Sequence, residues 1–180
     1  HKYIGYDTSI NKYGKAKNAE DFAFKAQLVN FDQYRGLAEG FSSHMWDWYT
    51  GFIIWKTQNP WTAMRGQIYD SYLDPNACLY GLHNGSEPLH IMYNPVTGMV
   101  TAVNNTFKAR RSMMLEVKTY DMAGKENLLT QVFADIGPTT SKRYFSIKNE
   151  IDKLAANEGV FLSLQLLDEE KKPITENLYW

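Results

Sequence analysis

The stretch that decides the fold runs from residue 51 to residue 61 and reads GFIIWKTQNPW. Its four consecutive apolar residues, Phe52–Trp55, are typical of a strand covered on both faces, as in a parallel sheet. A lysine, two carboxamides and a second tryptophan follow the strand directly. These stacking and hydrogen-bonding groups suit a ligand surface, although a tryptophan at a strand end is also an ordinary core residue. The stretch therefore predicts a buried strand that ends either in a core or at a ligand.

A helical pattern precedes this strand. Residues 18–46 predict a long helix, with Asn18 as its N-cap and acidic residues in its first turn. Gly36 and Gly40 lie four residues apart, so we expect this helix to approach a neighbour closely. The expected buried face recurs at steps of three and four, and three further residues widen it. The recurring residues are Phe22, Ala26, Val29, Gln33 and Leu37, and the widening ones are Phe24, Leu28 and Phe31.

A shorter helical pattern follows the strand and a polar stretch. Residues 74–86 predict a helix with Asp74 as N-cap and Pro75 as its first residue. Residues 1–17 show no clear period and are interpreted as loop. The order of helix, buried strand, loop and helix is typical of α/β proteins, but a single strand cannot form a sheet.

The hydrophobic period changes to two from Glu87 onward, which predicts strands. Seven short strands in under a hundred residues are typical of an immunoglobulin-like β-sandwich, here without the cysteine pair of antibody domains. The segments DMAGKEN and DEEKKP predict hairpin turns. We place the boundary near residues 86–88. The seven candidate strands are 89–93, 99–103, 113–119, 128–133, 143–147, 160–166 and 174–179.

Composition narrows the function classes. The 180-residue chain is 44% hydrophobic, so it can bury a core, and its formal net charge of −1 argues against nucleic acid or an anionic membrane as partner. No apolar run approaches the length of a membrane span. The single cysteine, Cys78, excludes an intramolecular disulfide, and the four histidines lack zinc-ligand spacing, so we predict no metal and no cofactor. The sequence opens without a methionine, which predicts a piece of a longer protein.

Four motifs carry a resemblance to a known family: HKYIGY, KAQLVNFDQYR, YTGFIIWKTQNPWTAMRGQIYD and the closing NLYW. With them, nearly the whole chain resembles the C-terminal part of glycoside hydrolase family 2, most closely the endo-β-mannosidases and exo-β-glucosaminidases. The resemblance implies an α+β fragment. Residues 1–86 would be the last helix–strand–helix segment of a (β/α)8 barrel, and residues 87–180 an immunoglobulin-like β-sandwich.

The resemblance also implies a sugar site, because barrel enzymes bind substrate at the C-terminal ends of their strands. The substrate-binding residues implied here are Trp55, Lys56, Gln58, Asn59 and Trp61. Trp55 would form a stacking wall for the sugar ring. Without the resemblance, Trp55 is better interpreted as a core residue, and bracing of neighbouring loops stays an equal alternative for Lys56 and Asn59.

The resemblance assigns no catalytic residue to this chain. Retaining glycosidases use two carboxyl groups about 5 to 5.5 Å apart, and in this family both glutamates belong to barrel strands upstream of His1. The isolated chain is therefore predicted to be inactive, as part of a parent that hydrolyses O-glycosidic bonds of β-mannosides or related glycans. Of the acids present, we interpret Glu39 as an ion-pair member and Asp70 as a brace for Arg65. The expected partners are carbohydrate and the parent's other domains, and a bacterial parent would be periplasmic or secreted.

A second hypothesis from another class remains open. The chain could be a non-catalytic carbohydrate-binding or surface-interaction sandwich with a helical lead-in. A doubly buried Phe52–Ile54 strand favours the hydrolase, since a free-standing module has no use for it. The triplets at Asn84 and Asn104 fit the N-glycosylation pattern, which is common by chance.

Overall fold

The computed structural model describes residues 7–48, 50–62, 67–156 and 159–180. The chain divides into two compact units. One unit comprises the residues up to Gly40 together with Gly51–Ser86, and the other comprises Phe41–Thr50 together with Glu87–Trp180. The HKYIGY motif, Tyr49 and Arg65 lie outside the described residues.

The first unit is helical. A short helix α1, Asp7–Ile10, and a 3₁₀ turn, Asn11–Tyr13, stand where the sequence pattern predicts only loop. The Tyr13 hydroxyl donates a 2.7 Å hydrogen bond to the Asp32 carboxylate, which ties this segment to the long helix that follows. The prediction of a loop is therefore wrong for residues 7–13, whereas residues 14–17 form a loop as predicted.

The long helix α2 spans Ala19–Ser43, so it ends three residues before its predicted end. Its predicted N-cap is confirmed, because Asn18 Oδ1 accepts the Asp21 N–H at 2.8 Å. Val29 is buried as predicted. Four other members of the predicted buried face are only partly buried, namely Phe22, Ala26, Leu28 and Phe31. Phe24, Gln33 and Leu37 are exposed, so the prediction of burial is wrong for these three residues.

The buried face of α2 differs from the predicted apolar face because it includes polar residues. Arg35 and Glu39 are 5% and 6% exposed, beside the fully buried Ala38. The Arg35 guanidinium lies 2.8 Å from the Asp32 carboxylate and 5.2 Å from the centroid of the Phe31 ring. Pairing lets a buried arginine retain its charge, and a pattern built on apolar residues alone does not detect such a position.

Helix α3 spans Ala77–Gly85, and its N-cap is Asn76 rather than the predicted Asp74. The first N–H of α3, on Ala77, is shared by the side-chain oxygens of Asn76 and Gln27, each at 2.8 Å. Gln27 belongs to α2, so a side chain of α2 accepts a hydrogen bond from the first residue of α3. The predicted N-cap was therefore two residues too early.

The close helix approach is made by the glycines of α3. A Cβ atom on Gly81 would lie 2.1 Å from the Phe31 carbonyl oxygen, and one on Gly85 would lie 2.7 Å from the Arg35 carbonyl oxygen. A Cβ on Gly36 or Gly40 would have no heavy atom within 4 Å among the described residues. The expectation that Gly36 and Gly40 make the contact is therefore wrong.

Residues 52–54 form no strand in the described part of the chain, and Trp55 lies in a bend. Ile53 is 96% exposed and Trp55 is 90% exposed, whereas Phe52 and Ile54 are partly buried. The prediction of burial on both faces is thus wrong for this chain. Burial on two faces needs two covering layers, and the described residues cover only one face.

The second unit contains the seven predicted strands, which are confirmed within a few residues. The strand bounds are β1 Leu89–Tyr93, β2 Met99–Asn104, β3 Arg110–Tyr120, β4 Glu126–Ile136, β5 Thr140–Ser146, β6 Phe161–Leu167 and β7 Pro173–Tyr179. The strands form two antiparallel sheets, ordered β1-β2-β5 and β4-β3-β6-β7, consistent with an immunoglobulin-like sandwich. Leu115 on β3 stands opposite Val132 on one side and Leu166 on the other.

Both predicted hairpin turns are confirmed and share one chemistry. The Asp121 carboxylate accepts the N–H groups of Ala123 and Lys125, each at 2.9 Å. The Asp168 carboxylate accepts the N–H groups two and four residues later at 2.9 and 2.8 Å. An aspartate that bonds its own turn backbone fixes the reversal locally, so the sequence alone predicts it.

The core lies between the sheets, where β-strand alternation directs apolar side chains inward. Its fully buried members include Ile91, Val100, Leu115, Val117 and Leu164. A further helix, α4 at Lys148–Ala155, was not predicted. Its sequence is short and charged, and its main apolar contact with the core is the half-buried Ile151. Among the described residues, no helix is both long and apolar enough to cross a membrane.

Candidate functional site

The candidate site is the loop formed by residues 55–61 of the first unit. A second segment runs beside it: the Tyr69 N–H donates to the Thr57 carbonyl at 2.9 Å, and Gln58 and Tyr69 form an isolated parallel bridge. The same segment reaches the start of α3, because the Asn76 N–H donates to the Ile68 carbonyl at 2.8 Å. The Trp55–Lys56 peptide bond is cis. Backbone contacts therefore hold this loop against the residues that precede α3.

Two tryptophans of the loop present their rings to solvent. Trp55 is 90% exposed and Trp61 is 56% exposed. The Lys56 ammonium lies 5.9 Å from the centroid of the Trp61 ring, within the range of a cation–π contact. The structure thus brings Lys56 and Trp61 together, and Gln58 is exposed beside them. The exposed indole faces can stack on a sugar ring. The neighbouring ammonium and carboxamide can form hydrogen bonds with the hydroxyl groups of that ring.

Asn59 differs from its neighbours because it is buried, at 5% exposure. Its side-chain oxygen accepts a 2.9 Å hydrogen bond from the Gln67 amide, and Gln67 is itself 7% exposed. The Cys78 thiol on α3 donates to the Gln67 carbonyl at 3.1 Å. Of the two interpretations of Asn59, this geometry supports the bracing one.

Gln67 is a residue that the sequence reasoning did not single out. It belongs to the RGQIYD segment, so its motif was recognised while its role was not. Buried side-chain amides in proteins form hydrogen bonds with one another or with the backbone. A second carboxamide eight residues after Asn59 was therefore the available signal for a pairing partner. Periodicity could not show that this loop folds back on itself.

The acids near the loop have structural contacts. One Asp70 carboxylate oxygen accepts the N–H groups of Tyr72 at 2.8 Å and Asp74 at 3.0 Å, so Asp70 stabilises its own turn. Arg65, which Asp70 was predicted to brace, lies outside the described residues. Glu39 lies buried on α2. Within the described ranges, no group of three or more His, Cys, Asp or Glu side chains could hold a metal ion.

Burial also determines the chemistry of the one thiol. Cys78 is fully buried beneath the loop, and desolvation raises its pKa to about 11. A thiol with so high a pKa is protonated at neutral pH and is therefore a poor nucleophile. Cys78 serves packing and the bond to Gln67.

The structure decides one of the two glycosylation patterns. Asn104, in the sandwich, is fully buried, and its amide donates to the carbonyls of Lys108 and Gly137, each at 2.8 Å. A glycan cannot be attached to this side chain in the folded protein. Asn84 lies within α3, and its side-chain oxygen is also buried.

Comparison with known proteins shows what the chain is similar to. Residues 99–180 match the family model described as Mannosidase Ig/CBM-like domain. The chain is 39% identical over 194 aligned residues to the mannosylglycoprotein endo-beta-mannosidase of Lilium longiflorum, covering 100% of this chain and 20% of that protein. It is 29% identical to the exo-beta-D-glucosaminidase of Amycolatopsis orientalis, covering 97% of this chain and 17% of that protein.

Solved structures agree with these matches. The exo-chitosanase of Amycolatopsis orientalis superposes with a TM-score of 0.80 at 27% identity, over 97% of this chain and 21% of that chain. A beta-D-mannosidase from Dictyoglomus thermophilum, at 18% identity and a TM-score of 0.77, shares the fold. The predicted resemblance to endo-β-mannosidases and exo-β-glucosaminidases is confirmed, and the chain spans about a fifth of the length of these relatives.

Proposed function

We propose that this chain is the C-terminal part of a retaining family 2 glycoside hydrolase that cleaves β-mannosides or related glycans. Residues 1–86 would complete its (β/α)8 barrel, and residues 87–180 would form an accessory sandwich. The observation that carries the proposal is similarity along the whole chain, not only along the sandwich, to enzymes named for glycan cleavage. This observation replaces the buried-strand argument, and it favours the hydrolase over a free-standing binding module.

The exposed tryptophans support a sugar site in the loop of residues 55–61. Burial of a tryptophan is favourable by a few kcal/mol, so a chain that leaves Trp55 90% exposed gains nothing from it within this unit. In the proposed parent, the Trp55 ring would lie against the C–H face of the sugar. Lys56, Gln58 and Trp61 would border the same surface.

In this mechanism the residues of this chain bind and orient the substrate. The nucleophile and the acid/base would come from the rest of the parent, as the resemblance implies. Stacking on Trp55 would hold the sugar ring with its anomeric carbon facing the nucleophile. The binding energy of the stack would thereby orient the substrate for reaction. Asn59 and Gln67 would keep the loop in place from beneath, without touching substrate.

The names of the relatives limit the substrate class. One relative is named as a mannosidase and another as a glucosaminidase, and the sugars of these two enzymes differ at C2. Stacking and general hydroxyl contacts in the loop would serve either sugar. We therefore assign to this chain the recognition of a pyranose ring in β linkage.

The test uses the full-length parent and a matched pair of tryptophan variants. Trp55→Ala should lower turnover of an aryl β-mannoside or β-glucosaminide about 10- to 100-fold, through lost orientation. Trp48→Ala is the control, because Trp48 is also strongly exposed, at 75%, yet lies outside the loop. Equal turnover in the wild type and in folded Trp55→Ala would return Trp55 to a packing role.

A second assay tests whether catalysis needs residues of the parent outside this chain. The isolated chain should hydrolyse neither an aryl β-mannoside nor an aryl β-glucosaminide, because retaining hydrolysis needs both carboxyl groups. Activity in the isolated chain that is lost in Asp70→Asn would show that the catalytic carboxylates are in this chain.

A further inference from the structure

The loop between β2 and β3 displays a phenylalanine almost entirely to solvent. Phe107 is 94% exposed in the sandwich unit. Scattered exposed apolar residues are common and need no function by themselves. Phe107 differs from such residues in how rigidly its loop is held and in which charges flank it.

The loop is fixed from below by a buried side chain. Asn104 is fully buried, and its two amide bonds reach the carbonyls of Lys108 and Gly137 at 2.8 Å. Its oxygen accepts the N–H and the hydroxyl of Thr106 at 3.1 and 2.7 Å. The Thr106 carbonyl in turn accepts the Thr139 N–H at 3.0 Å. A loop held in this way presents its side chains with little conformational entropy left to lose on binding.

Three cations follow the phenylalanine along the chain. Lys108, Arg110 and Arg111 are all exposed. None of the ion pairs found among the described residues includes them. Aromatic and arginine side chains are enriched in interface hot spots, and cations outside these ion pairs favour an acidic partner. We call Phe107, Lys108, Arg110 and Arg111 the Phe107 surface.

We propose that the Phe107 surface docks on an acidic, apolar-centred face in the part of the parent polypeptide outside this chain. The matched relatives are much longer, since the chain spans 20% of the endo-beta-mannosidase, so a parent of that length has the surface to supply the partner. The ring would fill an apolar pocket, and the cations would meet carboxylates at its rim. The inference rests on the proposed function only in requiring a larger parent; it needs no assumption about the reaction.

The experiment compares thiol labelling in the isolated chain and in the full-length parent. Phe107→Cys introduces a reporter, while the native Cys78 is buried and stays silent in the folded protein. Val96→Cys is the matched control, because Val96 is 80% exposed in the uncharged turn between β1 and β2. A maleimide should modify both reporters rapidly in the isolated chain. In the parent, labelling at position 107 should slow at least about tenfold, while labelling at position 96 does not change.

Each other outcome overturns the proposal. Equal labelling of position 107 in both proteins would mean that nothing covers the surface. Protection that appears in the isolated chain and grows with its concentration would identify a second copy as the partner. These results are independent of glycosidase activity, so a failure here leaves the proposed function untouched, and an inactive parent leaves this test valid.

Zero-length cross-linking tests the charge complementarity without any cysteine variant. In the wild-type parent, a carbodiimide should join the Lys108 amine to a carboxylate upstream of His1. Arg110→Glu with Arg111→Glu should reduce the yield of that cross-link at least about fivefold by repelling the partner. Cross-links of Lys108 only to carboxylates within residues 1–180 would contradict the proposal.

Discussion

The Gln67 amide donates a 2.9 Å hydrogen bond to the Asn59 side-chain oxygen, and both residues are buried in the first unit. The bond joins the loop of the candidate sugar site to the segment that leads into α3. It explains why this carboxamide, in the middle of a motif of stacking and hydrogen-bonding groups, faces the interior of the unit. The loop presents Trp55, Lys56 and Trp61 because Asn59 is turned inward.

The Asn59–Gln67 pair should behave as one energetic unit. Asn59→Ala leaves the Gln67 amide buried without this partner, so the free energy of unfolding should fall by about 1–3 kcal/mol, and Gln67→Ala should cost a similar amount. The double variant should cost less than the sum, because the second change removes the orphaned group. Urea unfolding followed by tryptophan fluorescence measures all three. Gln33→Ala, on the exposed side of α2, is the control and should change stability by less than about 0.5 kcal/mol.

Two glycines of the helices should respond oppositely to alanine. In Gly81→Ala the new Cβ would lie 2.1 Å from the Phe31 carbonyl oxygen, so α2 and α3 must separate. We expect a loss of about 1–3 kcal/mol in unfolding free energy. Gly36→Ala meets no described atom within 4 Å and should gain about 0.5–1 kcal/mol from helix propensity. Thermal unfolding of the two variants checks this, and equal effects would mean that the helices do not pack as described.

Asn104 should be the polar side chain on which the β2–β3 loop depends. Asn104→Ala removes its bonds to Thr106, Lys108 and Gly137 and should cost about 2–4 kcal/mol of unfolding free energy, with faster amide exchange in residues 105–109. Asn105→Ala, at an exposed neighbouring position, is the control and should leave exchange unchanged. An unchanged exchange rate in Asn104→Ala would refute the bracing role and weaken the case for a preorganised Phe107 surface.

Cys78 should make stability fall at alkaline pH. Burial raises the pKa of the folded thiol from 9.0 to about 11, so the native state holds its proton more tightly than the unfolded state does. The thiol's contribution to stability is therefore complete below pH 9.0 and is lost as pH rises from 9.0 to about 11. Cys78→Ser should flatten that part of the urea-midpoint profile. A thiol reagent at pH 8 should label the protein only after unfolding.

Local chemistry accounts for most of what could be predicted. Asn18 caps α2 through its own third neighbour, and Asp121 and Asp168 close their own turns, so each contact is contained in a short segment. The seven strands were predictable because alternation along each strand already separates core from solvent. The resemblance pointed to the loop of residues 55–61 before any geometry was known, but it did not separate Asn59 from Lys56.

The sequence by itself determined the sandwich, the locally capped start of α2, and the loop in which the candidate sugar contacts lie. Only the tertiary structure decided which of two equally spaced glycine pairs makes the close contact, and which carboxamide of the loop is buried. Gly36 and Gly40 show the same spacing as Gly81 and Gly85, yet the Phe31 and Arg35 backbone approaches only the second pair. Glycine spacing shows that another helix can pack closely on that face. Whether one does depends on where the partner helix lies, which is set by contacts between residues distant in sequence.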